Sequence, residues 1–265
     1  HEVEVDTGEV KADDSLLTKV DTENGDLAEA ILGPHFRTSI EDKTPGSGNA
    51  FVDSDRTPDM LALVDSVDGT RLLKLNMPGS VVIAAGYNER LRIVTACCIG
   101  DPLTGLIWEA DEGMPTTRSM VDLTTGEVGK PIEVRVWDGV LSRRQSVVLF
   151  DVSDEFRTDK GTRLILDDGE MEDFFVGVNR MTRTMITLCN GLNQVTVADG
   201  GFGALASVTT AKGGPWDVVG ARLVLNAGGA AKAYRRTKEG SLEEVDPLDA
   251  VALDILITGN SLKSV

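Results

Sequence analysis

Apolar residues come in short runs separated by glycine and acidic turns, the pattern of buried strands more than of long helices. In the first half, residues 60–64 (MLALV) read as a buried strand ending in an acidic cluster. Residues 81–85 and 91–99 read as two further strands joined by a turn at residues 86–89, and Asp101-Pro102-Leu103-Thr104-Gly105 reads as a hairpin turn leading into residues 106–108. Together these predict an antiparallel meander. Ahead of it, Leu27, Ala28, Ile31 and Leu32 recur at helical spacing, so residues 21–32 are expected to be a helix stopped by Gly33-Pro34. Residues 43–49 (KTPGSGN) read as a flexible connector.

From about Pro131 the pattern changes to alternating β and α segments. Residues 146–150, 185–188, 194–197 and 251–257 read as strands, the last running into Thr258-Gly259-Asn260. Residues 170–178 mix acids and aromatics, and residues 216–227 read as one helix closed by Gly228-Gly229. We therefore expect one compact unit in two halves, an antiparallel-sheet half over residues 1–130 and a mixed half over 131–265.

Composition narrows the class. The chain has 265 residues, 41% hydrophobic, enough to bury a sizeable core, and no apolar stretch of membrane-spanning length. A net charge of −17 argues against nucleic acid or an anionic membrane as partner, since both need clustered Lys and Arg. It admits a small phosphorylated substrate if metal ions mask the local negative charge. Cys97, Cys98 and Cys189 fit buried thiols in a reducing compartment, and residues 1–14 lack a signal-peptide pattern, so a cytoplasmic location is expected.

The most informative stretch is Val64-Asp65-Ser66-Val67-Asp68-Gly69-Thr70. Two carboxylates three apart at a strand end share one cleft if the chain turns there, and Gly69 permits a turn. Thr70 would then open a short helix over residues 71–75, whose exposed N–H groups suit a phosphate. Carboxylates without His or Cys nearby in sequence favour a hard cation, Mg²⁺ over Zn²⁺. Pro215-Trp216-Asp217 adds a carboxylate at the front of an apolar helix, and Ile40-Glu41-Asp42 adds an acidic pair upstream.

Taken in order, these elements resemble the inositol monophosphatase superfamily, Mg²⁺-dependent sugar and inositol phosphatases related to fructose-1,6-bisphosphatase. The likeness extends to Thr18-Lys19-Val20-Asp21 and the closing Thr258-Gly259-Asn260, and runs from about Lys11 to the end. The resemblance implies an α/β (α+β) fold, a five-layered αβαβα sandwich with the site between its halves. It implies hydrolysis of a small phosphorylated polyol, foremost inositol monophosphate, with two or three Mg²⁺ ions and a homodimeric assembly. It implies that Glu41, Asp65 and the Val67 carbonyl hold one metal, and Asp65, Asp68 and Asp217 another. Thr70 with Asp21 would orient and deprotonate the attacking water, Glu41 would share in catalysis, and the Gly69 and Thr70 amides with Asp217 would bind substrate. Asp42 parallels the family's second acid.

Several positions depart from the family pattern. Ser66 stands in place of a proline, Leu73 of an aromatic, Ile40 of a glycine and Val219 of a small residue. Residues 206–214 read as too short for the strand that the family places before Trp-Asp to read substrate hydroxyls. Fructose-1,6-bisphosphate and adenosine 3′,5′-bisphosphate are the competing substrates, with Lys212, Arg222 and Arg235 as candidate cationic contacts. A non-catalytic scaffold or binding relative is the reading from a different class. Asp246-Pro247-Leu248-Asp249 mimics the metal motif but lacks Gly-Thr and reads as a surface turn, and Gly200-Gly201-Phe202-Gly203 reads as a turn or a substrate wall. Cys97-Cys98 reads as strand packing, His35 as a loop residue, and Glu243-Glu244 as a solvated face.

Overall fold

The computed structural model describes residues 19–41, 59–74, 78–139, 147–151, 183–187, 189–200, 204–210 and 214–261. The readings at residues 43–49 and 170–178, and those at Asp42 and Lys212, lie outside them. The first sheet orders its strands β1 (Arg37–Ile40), β2 (Met60–Asp68), β3 (Val81–Asn88), β4 (Ile93–Asp101), β5 (Leu106–Asp111), β6 (Thr117–Met120) and β7 (Ile132–Glu133) in sequence, with β2 buried almost throughout. All neighbours are antiparallel except β1 and β2, which run parallel. On β3 the residues Val81, Ile83, Ala85 and Tyr87 are buried in strict alternation, the mark of a strand with one face on the core. The turn after β3 falls beyond Asn88, later than its Gly86 expectation, because Gly86 is paired inside the sheet. The Asp101 turn forms as expected: its carboxylate accepts the Leu103 N–H at 2.8 Å, and Gly105 takes φ 73°.

The second sheet contains β8 (Val147–Asp151), β9 (Arg183–Thr187), β10 (Ala204–Thr210), β11 (Ala230–Arg236), β12 (Leu242–Val245) and β13 (Ile255–Gly259), in the order β12-β11-β13-β10-β8-β9. β10 places a strand over Ala204–Thr210, within the stretch before Trp216 that reads as too short for one. Four helices complete the described fold: α1 (Lys19–Leu32), α2 (Thr70–Lys74), α3 (Asn190–Ala198) and α4 (Ala221–Asn226). α3 and α4 each touch strands of both sheets and form the layer between them. One core cluster runs through all three layers, with Leu63, Ile83, Leu223 and Leu256 fully buried. This is a mixed α+β architecture of stacked sheets and helices.

Three further readings change. Residues 194–197 belong to α3, not to a strand: four residues of apolar sequence cannot separate the two periods, and the helix is decided by packing on β10 and β3. Residues 216–227 are not one helix but a 3-10 turn (Pro215–Val218) followed by α4. The C-terminal stop is as read, with Gly228 at φ 86° and the Gly229 N–H donating to the Val224 carbonyl. The last strand starts at Ile255, since residues 251–252 are a turn. In α1 the helix forms where expected, yet Leu27 and Ile31 are 59% and 57% exposed while Asp21 and Gly25 are buried.

Asp249 is buried, not a surface residue: the Tyr87 hydroxyl donates to its Oδ1 at 2.7 Å and Arg92 pairs with its Oδ2 at 2.8 Å. Burial, together with this carboxylate, raises the Tyr87 phenol well above its ordinary range. Asp249→Ala is therefore expected to lower stability by about 1–3 kcal/mol, by leaving the buried Tyr87 hydroxyl without its acceptor while the exposed Arg92 returns to water, with turnover unchanged. Thermal melts and kcat on the same preparation check this, and lost activity in a stable protein would place Asp249 in the active site. Cys97 is buried and Cys98 half-buried on β4, as expected for strand packing. Burial, then the Glu109 and Asp111 carboxylates, push the Cys98 thiol up to about 12.

Candidate active site

In a regular strand residues three apart face opposite sides, so Asp65 and Asp68 should diverge. They do not, because β2 carries a bulge. Asp65 pairs with Ile83 and Asp68 with Val81, so three steps along β2 match two along β3. The extra residue returns Asp68 to the side of Asp65. Asp217, on the 3-10 turn, joins them: one oxygen from each of the three carboxylates lies within 4.8 Å of the other two. All three are buried, at 3%, 7% and 6% exposure.

Each carboxylate is aimed by a backbone N–H. Val67 donates to Asp65 Oδ1 at 2.9 Å, Gly191 to Asp68 Oδ2 at 2.6 Å, and Gly214 to Asp217 Oδ2 at 3.1 Å. A carboxylate has two oxygens and about four acceptor positions, so one such bond orients it without exhausting it. Glycine is required at two of these donors for space. A Cβ on Gly191 would stand 2.8 Å from Val81 and 3.1 Å from Asp68 Oδ2, and one on Gly214 would stand 2.3 Å from the Trp216 ring. Three converging buried carboxylates form an all-oxygen donor set that fits a hard divalent cation such as Mg²⁺, and their mutual repulsion at close range favours one.

Beside the cluster, Gly69 turns the chain at φ 87° and starts α2. The Thr70 hydroxyl stands 3.1 Å from Asp21 Oδ1 and 2.9 Å from the Val67 carbonyl, and having one proton it donates to one at a time. Asp21 and Thr70 are 49 positions apart in sequence, and α1 packing on β2 brings them together. Glu41 directly follows Ile40, the last residue of β1, whose partner across the sheet is Val64, and lies in 3-10 backbone just beyond the strand. It is half-buried and stands outside the three-carboxylate group.

Sequence reading passed over the start of α3. Cys189 precedes it, wholly buried, with Sγ 3.2 Å from Asp68 Oδ2, and burial followed by the Asp68 charge holds its thiol well above the usual range. Its approach to Asp68 spans 121 residues and left no local motif. Two of the three candidate bisphosphate contacts are engaged elsewhere, and Lys212 lies outside the described residues. Arg222 is buried and donates through Nε and Nη2 to the Val94 carbonyl, and Arg235 pairs with Glu243 across β11 and β12.

No family model matches the chain, and no curated protein matches it. Solved structures do. The inositol monophosphatase of Thermotoga maritima superposes with a TM-score of 0.65 at 20% identity, over 98% of this chain and 85% of that one. The extragenic suppressor protein SuhB of Bartonella henselae gives 0.65 at 16% identity, over 92% and 80%. A dual-specific inositol monophosphatase/NADP phosphatase, bound with D-inositol-1-phosphate, gives 0.61 at 16% identity, over 92% and 80%. The chain has the fold of the inositol monophosphatases.

Proposed function

We propose that this protein is a Mg²⁺-dependent phosphomonoesterase acting on a small phosphorylated polyol, with inositol monophosphate the first substrate to test. The observation that carries the reading is the buried Asp65, Asp68 and Asp217 cluster, assembled from two distant parts of the chain on this fold. The structural neighbour bound with D-inositol-1-phosphate supports the substrate class.

When bound, a cation supplies the Lewis-acid charge that phosphoryl transfer needs. Asp65, Asp68 and Asp217 would hold it, with Glu41 and the Val67 carbonyl completing a neighbouring position. Thr70, donating to Asp21, would present its oxygen lone pairs to the attacking water and pass that water's proton toward the Asp21 carboxylate. The Gly69 and Thr70 amides would take phosphate oxygens at the start of α2. No helix among the described residues is long and apolar enough to cross a membrane.

A phosphate-release screen over inositol, sugar and nucleotide monophosphates with Mg²⁺ tests the activity, and no release from any of them sinks it. Metal alone gives a second test. Cation binding at 100 times Kd should stabilise the fold by about 2.7 kcal/mol by mass action, because only the folded chain assembles the carboxylate cluster. Identical melting curves in EDTA and in millimolar Mg²⁺ would remove the metal site.

A further inference from the structure

Gln194 lies on α3, fully buried at 0% exposure, and takes no part in the chemistry above. Its Nε2 donates to two carbonyls, that of Asn190 at 3.1 Å and that of Asp217 at 2.5 Å. Turning the amide over would face Oε1 against both carbonyls, so these partners set its orientation. Oε1 has no hydrogen-bond partner among the described residues and rests against Gly220. A Cβ on Gly220 would stand 2.2 Å from Oε1 and 2.7 Å from the Gln194 Cβ. Gly220 has an ordinary helical φ of −67°, so what it provides here is room, not a left-handed turn.

This glutamine meets the chain where the helix predicted over residues 216–227 is broken. In a continuous α-helix the Asp217 carbonyl would accept the Ala221 N–H. The chain instead makes a 3-10 turn, restarts at Ala221, and leaves the Asp217 carbonyl to Gln194. The same helix α3 donates its Gly191 N–H to Asp68. One rigid element thus grips Asp68 through its backbone and the main chain of Asp217 through a side chain.

We propose that Gln194 is a positioning residue that sets Asp217 relative to Asp68 and so tunes the affinity of the carboxylate cluster for a divalent cation. This rests on the reading that the cluster holds a cation. The alternative is a buried glutamine that only stabilises the fold. Titrating the full chain with Mn²⁺ alone by calorimetry, with melting temperatures in EDTA, separates the two. Gln194→Met keeps the bulk of the side chain and removes both donors. Gly220→Ala keeps every hydrogen-bonding group and displaces the amide, and it carries the test if Gln194→Met fails to fold. The expected result is a Mn²⁺ Kd raised about 10- to 100-fold, the scale for losing a partner that orients a metal ligand. A Kd within about twofold of wild type in a folded variant overturns the proposal, however far the metal-free melting temperature falls. Wild-type protein that binds no Mn²⁺ overturns the cation site itself, and the proposal with it. Wild-type binding with unchanged variants overturns the role of Gln194 alone.

Discussion

Asp68→Asn is expected to lower phosphate release by at least about 10²-fold, the scale for removing one preorganised electrostatic group, while the fold persists. The Gly191 N–H, 2.6 Å from Oδ2, would hold the amide oxygen and turn the amide N–H groups toward the cluster. Donors would then face a site that needs acceptors. Removing one of three crowded negative charges also relieves repulsion, so metal-free stability should hold or rise while the Mg²⁺-induced increase in melting temperature shrinks. Turnover and melts with and without Mg²⁺ on one preparation decide it. Near-wild-type turnover would remove Asp68 from the site.

Thr70→Ala is the second large effect. If the hydroxyl directs the nucleophilic water, kcat and kcat/KM should fall together by about 10²–10⁴-fold with KM little changed. The same mutation removes the hydrogen bonds toward Asp21 and the Val67 carbonyl, at about 1 kcal/mol of stability. Thr70→Ser keeps the hydroxyl and should recover most of the rate. Full activity in Thr70→Ala, with only the melting temperature reduced, would leave Thr70 a structural brace.

Much of the architecture was legible because its signals are local. Alternating burial along β3, the Asp101 to Gly105 turn, and the Gly228-Gly229 helix stop each depend on a few adjacent residues and their backbone preferences. The acids Asp65, Asp68 and Asp217 were singled out by the ordered motifs that resemble the inositol monophosphatases, since spacing alone would read Asp65 and Asp68 as an ordinary turn and Asp217 as a helix cap. The readings that changed turned on distant partners. Residues 194–197 are too few to show a period, so contact with both sheets decides that they are helical. Asp249 looked like a surface acid until Tyr87, 162 positions away, was found bonded to it.

By itself, the sequence determined the meander, the identities of the acids and the turn at Gly69, because residue type and short-range spacing set those directly. Tertiary structure decided how the acids meet. A bulge against β3 puts Asp65 and Asp68 on one side, and α1 brings Asp21 to Thr70. The start of α3 then reaches Asp68, and Gln194 on the same helix donates to the Asp217 carbonyl. Each is a pairing between chain segments remote in sequence, set by sheet register and packing, and neither leaves a trace in a short window of residues.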